Sequence, residues 1–109
     1  MNASGNIYGT LALLSGSGNP ALANEIAAEL GTELRHVDIT VFSNENIFMQ
    51  LEESVRSQDV FIIQPTCSPV NYNIMELLIM IDTVKRASAG RITAVMPFFA
   101  YARSDKKDK

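Results

Sequence analysis

An apolar strand pattern runs directly into a cluster of aromatic and charged side chains between Arg91 and Lys109. Residues 92–96 have the composition of a strand buried in a parallel sheet, and Pro97 ends it because proline lacks the N–H that a ladder needs. In open α/β sheets, ligands bind beyond the carboxyl ends of the strands. The stretch therefore suits a nucleotide, with rings for a base and cations for phosphates. The alternative is an aromatic core followed by a solvated tail. The side chains concerned are Phe98, Phe99, Tyr101, Arg103, Asp105, Lys106, Lys107, Asp108 and Lys109.

A glycine turn is the second candidate site. Residues 16–21 follow a short apolar run and fit the pattern G-x-G-x-x-[G/A], and Asp38 lies twenty residues past Gly18. That is near the spacing of the acidic residue that binds a ribose in dinucleotide-binding folds. A dinucleotide site is therefore one hypothesis, although glycine turns that open a helix are common. No Walker lysine follows the glycines, so a P-loop is excluded.

His36 is the only histidine and Cys67 the only cysteine. No second histidine or cysteine lies at metal-ligand spacing, so we expect His36 at the surface or a sheet edge rather than in a catalytic or metal site. One cysteine forms no internal disulfide, which favours a reducing cytoplasm.

Length and composition narrow the class of protein. A chain of 109 residues with 47% hydrophobic residues and a net charge of −3 is typical of one globular domain. Nucleic-acid binding is not expected, because it calls for a broad basic surface. No apolar segment reaches the roughly 18 residues that a membrane helix requires, so no membrane association is expected either.

Turn signals and periodicity predict the elements that position these residues. Asn19 is a good N-cap and Pro20 suits the first position of a helix that Gly31 stops. The predicted order is a strand over 11–15, this helix over 20–30, a strand over 33–42, an extended run over 47–51, a strand over 60–64, a second helix and a strand over 92–96. The second helix runs from about Asn73 to Ser88. Asn71 or Asn73 caps it, and Gly90 closes it. This order predicts an α/β three-layer sandwich with a mostly parallel sheet.

The second predicted helix is apolar on more than one face, through residues such as Met75, Leu78 and Ile81. A helix of this kind needs more cover than its own sheet provides. We therefore expect part of it to contact another domain or subunit.

The stretches FSNEN, ESVRSQDVFIIQ, NYNIMELLIMIDTVKRASAGRITAVMPFFAYAR and SDKKDK resemble the N-terminal half of phosphoribosyl pyrophosphate synthetase, also called ribose-phosphate diphosphokinase. The resemblance runs from about Leu11 to Lys109, which leaves residues 1–10 as a flexible lead-in. It implies a phosphoribosyltransferase-like fold and a cytoplasmic enzyme of nucleotide biosynthesis. The family transfers diphosphate from magnesium-bound ATP to ribose 5-phosphate, which gives phosphoribosyl pyrophosphate and AMP. Its active site lies between two domains and is completed across a subunit interface in a hexamer.

The resemblance also implies roles for individual residues. Phe42 matches the phenylalanine that stacks on adenine, and Asn44 and Asn46 occupy the turn beside it, where Asn46 replaces the family's glutamate. Arg103 matches the arginine that reaches ATP, and Ser104 replaces the usual glutamine. The start of the flexible loop that closes over the phosphates is matched by Asp105, Lys106, Lys107, Asp108 and Lys109, with Asp108 also a candidate ATP contact. An oxyanion site for regulatory phosphate or ADP is matched by Ser54, Arg56, Lys107 and Lys109.

The same resemblance places essential groups outside the chain. The family's metal-binding histidine and aspartate, its catalytic lysine and its ribose 5-phosphate loop match nothing up to Lys109. Magnesium ligands are therefore expected elsewhere, and the isolated chain is predicted to be inactive. Partners are expected to be identical subunits or full-length synthetase subunits. The alternative functions are a non-catalytic regulatory subunit, which Asn46 and Ser104 motivate, and the dinucleotide-binding domain.

Overall fold

The computed structural model describes residues 10–43 and 46–97. Its elements are β1 (Leu11–Ser15), α1 (Pro20–Leu30), β2 (Val37–Val41), β3 (Ile47–Leu51), β4 (Asp59–Ile63), α2 (Val70–Arg86) and β5 (Arg91–Val95). Neither helix within these ranges has the length and apolar character needed to cross a membrane.

A parallel sheet with the strand order β1-β4-β5 forms the centre of the fold. The register brings Ser15, Ile63 and Val95 side by side, so the carboxyl ends of the three strands lie at one edge. On the outer side of β1, Leu34 forms an isolated parallel bridge with Leu13. After β1 the chain crosses to the Leu34 side of the sheet, whereas after β4 it crosses to the opposite side, where β5 lies. Open α/β sheets form a ligand-binding crevice at such a switch point, here between β1 and β4.

The two helices cover opposite faces of this sheet. On one face, α1 packs Ala23 and Ala27 against Leu13 and Ile63. On the other face, α2 and the β2–β3 strands enclose a larger core of Ala12, Leu14, Met49, Val55, Val60, Ile62, Leu77, Met80 and Val84. The predicted three-layer α/β architecture with a mostly parallel sheet is confirmed.

The local signals around α1 give its limits correctly. The side-chain oxygen of Asn19 accepts a hydrogen bond from the Leu22 N–H at 3.0 Å, and Pro20 is the first helical residue. Gly31 ends the helix with φ of 71°, a left-handed conformation that glycine adopts without strain.

The strand predicted over 33–42 is shorter than expected. Arg35 donates its N–H to the Leu13 carbonyl at 2.8 Å, so the chain there runs along β1. Only Val37–Val41 forms a strand, and it pairs with β3 in a separate antiparallel sheet. The extended run at 47–51 is the partner strand of this hairpin.

The helix α2 begins and ends earlier than the sequence predicted. It starts at Val70, and neither Asn71 nor Asn73 is its N-cap. The Asn73 side-chain amide instead donates to the Cys67 carbonyl at 2.9 Å. Gly90 does not close the helix, because its N–H bonds to the Gln58 carbonyl at 2.7 Å in the turn into β5.

Candidate functional site

The end of the β2–β3 hairpin presents an aromatic surface. Phe42 follows β2 directly and is 50% exposed, and its ring centroid lies 6.5 Å from that of the exposed Phe48. The Phe42 N–H donates to the Asn46 carbonyl at 2.8 Å, which fixes the backbone on both sides of the turn. A half-exposed ring held in this way can stack on a planar ligand. Asn46 is exposed beside it, and Asn44 lies outside the described residues.

The other end of β3 leads to Ser54 and Arg56. The Ser54 hydroxyl accepts a hydrogen bond from the Arg56 N–H at 3.2 Å, and both residues are exposed. Arg56 also forms an antiparallel bridge with Ala89, which ties this loop to the turn before β5. The structure therefore brings the first two predicted oxyanion residues together, at the opposite end of β3 from Phe42.

The remaining predicted site residues lie outside the described ranges. They are Arg103, Ser104, Asp105, Lys106, Lys107, Asp108 and Lys109. The described chain ends at Pro97, just beyond the carboxyl end of β5. Their predicted roles stay predictions.

The glycine turn is already filled by side chains of this chain. Glu76 of α2 is fully buried and accepts hydrogen bonds from the Ser17 N–H at 2.8 Å and from the Ser17 hydroxyl at 2.8 and 3.0 Å. The Gly18 N–H donates to the side-chain oxygen of Gln64 at 2.9 Å. A side-chain carbon at Gly18 would lie 2.8 Å from that oxygen and from the Pro65 carbonyl oxygen, which explains the glycine.

This arrangement argues against the dinucleotide hypothesis. The N–H groups that cradle a pyrophosphate in such folds are occupied here by a carboxylate and an amide. Asp38, the proposed ribose ligand, lies on the β2–β3 hairpin and bonds to His36 at 2.9 Å. The spacing of the glycines and Asp38 matches the dinucleotide-binding motif, but the N–H groups of the turn and the Asp38 side chain bond to residues of this chain instead.

The buried carboxylate also affects a neighbouring tyrosine. Burial raises the pKa of Tyr72 above its usual value, and the nearby charge of Glu76 raises it further. The Tyr72 hydroxyl lies 3.4 Å from a Glu76 oxygen, so ionisation would place two negative charges together. Tyr72 therefore stays neutral and donates to the network.

His36 is exposed as the sequence predicted, but it has partners that the sequence did not suggest. Its Nε2 lies 2.9 Å from Asp38 Oδ1 and 3.9 Å from Glu52 Oε2. A hydrogen bond with Glu52, together with the His36 imidazole, lowers the pKa of Asp38, and the same bond raises the pKa of Glu52. Glu52 was missed because it lies sixteen residues away in sequence, directly after β3, and is neither histidine nor cysteine.

An apolar cavity of about 320 Å³ lies on the face of the sheet that α1 covers. It is lined by Leu11, Leu13, Ile26, Leu30, Phe61, Ile63 and Val95. This lining provides no side-chain polar group that could orient a nucleotide, so the cavity is not the candidate nucleotide site.

The sequence of this chain is similar to that of known proteins. Residues 11–109 match the family described as the N-terminal domain of ribose phosphate pyrophosphokinase. The chain is 56% identical over 99 residues to ribose-phosphate pyrophosphokinase 1, chloroplastic, of Oryza sativa subsp. japonica, covering 91% of this chain and 25% of that protein. It is 61% identical over 97 residues to ribose-phosphate pyrophosphokinase 2, chloroplastic, of Spinacia oleracea, covering 89% and 25% respectively.

A solved structure shows the same fold. The crystal structure of phosphoribosylpyrophosphate synthetase from Mycobacterium smegmatis superposes with a TM-score of 0.84 at 45% identity. The match covers 88% of this chain and 32% of that one. The chain thus spans about a quarter to a third of the length of these relatives.

Proposed function

This chain belongs to the family of the N-terminal domain of ribose phosphate pyrophosphokinase, and we propose that it supplies the ATP-binding part of a ribose-phosphate diphosphokinase. The reaction transfers the β,γ-diphosphoryl group of magnesium-bound ATP to the 1-hydroxyl of ribose 5-phosphate, which gives phosphoribosyl pyrophosphate and AMP. The family resemblance assigns the ribose 5-phosphate site to a second domain, outside these residues.

The half-exposed ring of Phe42 is the observation that carries this proposal. A base stacked on this ring would lie beside Asn46, whose side chain can bond to the edge of adenine. The family resemblance assigns Asn44 to the same adenine contact. Asn46 is shorter than glutamate and uncharged, so its hydrogen bond to the adenine amino group is weaker. Adenine binding therefore depends mainly on stacking.

The phosphates of ATP would be bound by the residues after β5. Arg103 provides a planar cation for phosphate oxygens, and Ser104 a hydroxyl. The loop from Asp105 to Lys109 adds three lysines that offset the charge of the transferring group. Diphosphoryl transfer depends on positioning, and groups from the second domain are needed, so the chain alone does not catalyse.

Magnesium ligands are expected outside this chain. Magnesium prefers oxygen ligands in octahedral geometry. In the ranges 10–43 and 46–97, the one group of three metal-ligating side chains is His36, Asp38 and Glu52, and it contains an imidazole. It is the family resemblance that assigns the magnesium ligands to residues beyond this chain, and the residues here are proposed to act on the nucleotide.

Regulation and assembly extend the proposal. Ser54 and Arg56, already close together, would bind a regulatory phosphate or ADP with Lys107 and Lys109.

On α2, Met75 and Leu78 lie one turn apart and are 51% and 54% exposed, which supports contact with a second domain, an identical subunit or a full-length subunit. The single cysteine supports the cytoplasm as the compartment.

Calorimetric titration with ATP and adenosine tests the nucleotide site. Phe42→Ala is expected to lose about 1–3 kcal/mol of affinity for both ligands, the range for base–aromatic stacking. Leu30→Ala, an exposed apolar residue on α1, is the control and leaves binding unchanged. Arg103→Ala is expected to weaken ATP binding much more than adenosine binding. Equal ATP affinity in the parent chain and Phe42→Ala would remove Phe42 from the site.

A further inference from the structure

Three metal-ligating side chains meet at the base of the β2–β3 hairpin. His36 and Asp38 are two residues apart, so the pleat directs both side chains to one face. Glu52 directly follows β3 and donates its N–H to the carbonyl of His36, the residue before β2, at 3.3 Å, which places the two opposite each other. The cluster is thus built by strand register across sixteen residues of sequence.

The distances suit a small cation. Nε2 of His36 lies 2.9 Å from Asp38 Oδ1 and 3.9 Å from Glu52 Oε2, and the three ligand atoms all lie within 4.8 Å of one another. Tetrahedral zinc with bonds of about 2.0–2.1 Å separates its ligands by about 3.3 Å. Small rotations of exposed side chains therefore bring all three atoms into coordination.

The charges of the cluster also favour a cation. The carboxylates of Asp38 and Glu52 both face the His36 imidazole, and their ligand oxygens lie within 4.8 Å of one another. The guanidinium of Arg35 is directed elsewhere, 3.4 Å from Glu53 and 2.9 Å from the Gln58 side chain. A divalent ion between the two carboxylates would relieve their repulsion.

We propose that His36, Asp38 and Glu52 bind one zinc ion at the base of the hairpin, with water as the fourth ligand. One imidazole and two carboxylates make a ligand set that suits zinc, whereas magnesium prefers oxygen alone. The side chains are about half exposed or more, so the site is open and exchanges its ion freely. It does not depend on the proposed nucleotide site, and it revises the expectation that His36 has no metal-binding partners.

Zinc titration of the 109-residue chain in a Cys67→Ser background tests the site without a competing thiol. Because His36 is the only histidine, its imidazole NMR signals report binding without ambiguity. Stoichiometric zinc is expected to shift these signals, and calorimetry is expected to give one site. His36→Gln, Asp38→Asn and Glu52→Gln are each expected to weaken zinc binding at least tenfold. All three side chains are exposed, so the fold remains intact.

Glu53→Gln is the matched control, because it removes the adjacent carboxylate, which pairs with Arg35 instead. It is expected to change zinc affinity less than twofold. Magnesium at the same concentration is expected to leave the imidazole signals in place. Unshifted His36 signals at millimolar zinc would overturn the proposal, as would equal losses in Glu53→Gln and Glu52→Gln.

Discussion

Replacing Glu76 by alanine tests whether the carboxylate that fills the glycine turn holds the fold together. Glu76 is fully buried, and it bonds both to Ser17 in the turn after β1 and to Gln64 directly after β4. It accepts hydrogen bonds from the Ser17 N–H and hydroxyl and from the Gln64 side-chain amide at 2.6 Å. The change to alanine removes both carboxylate oxygens, so all of these donors lose their acceptor at once.

The expected loss follows from the donors that remain. The Ser17 N–H is partly reached by solvent and falls at the low end of the roughly 1–3 kcal/mol cost of an unsatisfied donor. Gln64 is fully buried but keeps one hydrogen bond, to the Asn73 carbonyl at 3.1 Å, so it loses half of its amide's bonding. The unsatisfied Gln64 N–H adds about 1–3 kcal/mol and the cavity about 1 kcal/mol, so the total is about 3–5 kcal/mol. That is a large part of the roughly 5–15 kcal/mol that stabilises a typical domain.

Urea unfolding followed by far-UV circular dichroism measures this loss, since the chain has no tryptophan. Glu76→Gln keeps the volume and one acceptor oxygen, so it is expected to lose about 1–2 kcal/mol. Glu25→Ala, an exposed position on α1, is the control and is expected to change stability by about 0.5 kcal/mol or less. A loss below about 1 kcal/mol for Glu76→Ala, or equal losses for alanine and glutamine, would refute the reasoning.

Two further predictions concern buried charge and pH. Asp59→Asn is expected to cost about 1.5–3 kcal/mol in the same urea assay, because the nearly buried Asp59 accepts two hydrogen bonds from Arg91, at 3.0 and 3.1 Å. Asp82→Asn, which breaks the exposed 2.8 Å pair with Arg86, is its control at about 0.5 kcal/mol or less, and equal costs would contradict the role of burial. The raised pKa of Tyr72 means that its contribution to stability is complete below about pH 10 and is lost as pH rises through the folded-state value. In an ultraviolet titration, the phenol that Tyr72→Phe removes is expected to ionise above about pH 10, and loss of a phenol that ionises near pH 10 would show that the pKa of Tyr72 is not raised.

The sequence predicted best the elements whose limits depend on neighbouring residues. The limits of α1 follow from Asn19, Pro20 and Gly31, each of which acts on backbone groups within a few positions. The buried strands are also correctly placed, to within a residue, because their apolar runs are short and bounded by turns. Phe42 was identified by resemblance, and its exposure agrees with a stacking role, although ATP binding itself stays a prediction.

The limits of α2 and β2 were predicted less well because residues distant in sequence decide them. Asn73 has the chemistry of an N-cap, but its amide is used by the Cys67 carbonyl in the preceding loop. Residues before Val37 have the composition of a strand, but Arg35 bonds to β1 instead of continuing the hairpin. In both cases a tertiary hydrogen bond takes precedence over the local preference.

By itself, the sequence determined the order of helices and strands, the parallel α/β class and the family to which the chain belongs. Only the tertiary structure decided which groups meet at each site. Glu76 fills the glycine turn from 59 residues away, and Glu52, directly after β3, reaches His36 at the start of the hairpin. The physical reason is that periodicity and turn residues act along the chain, whereas strand register and helix packing determine which side chains approach one another across the fold.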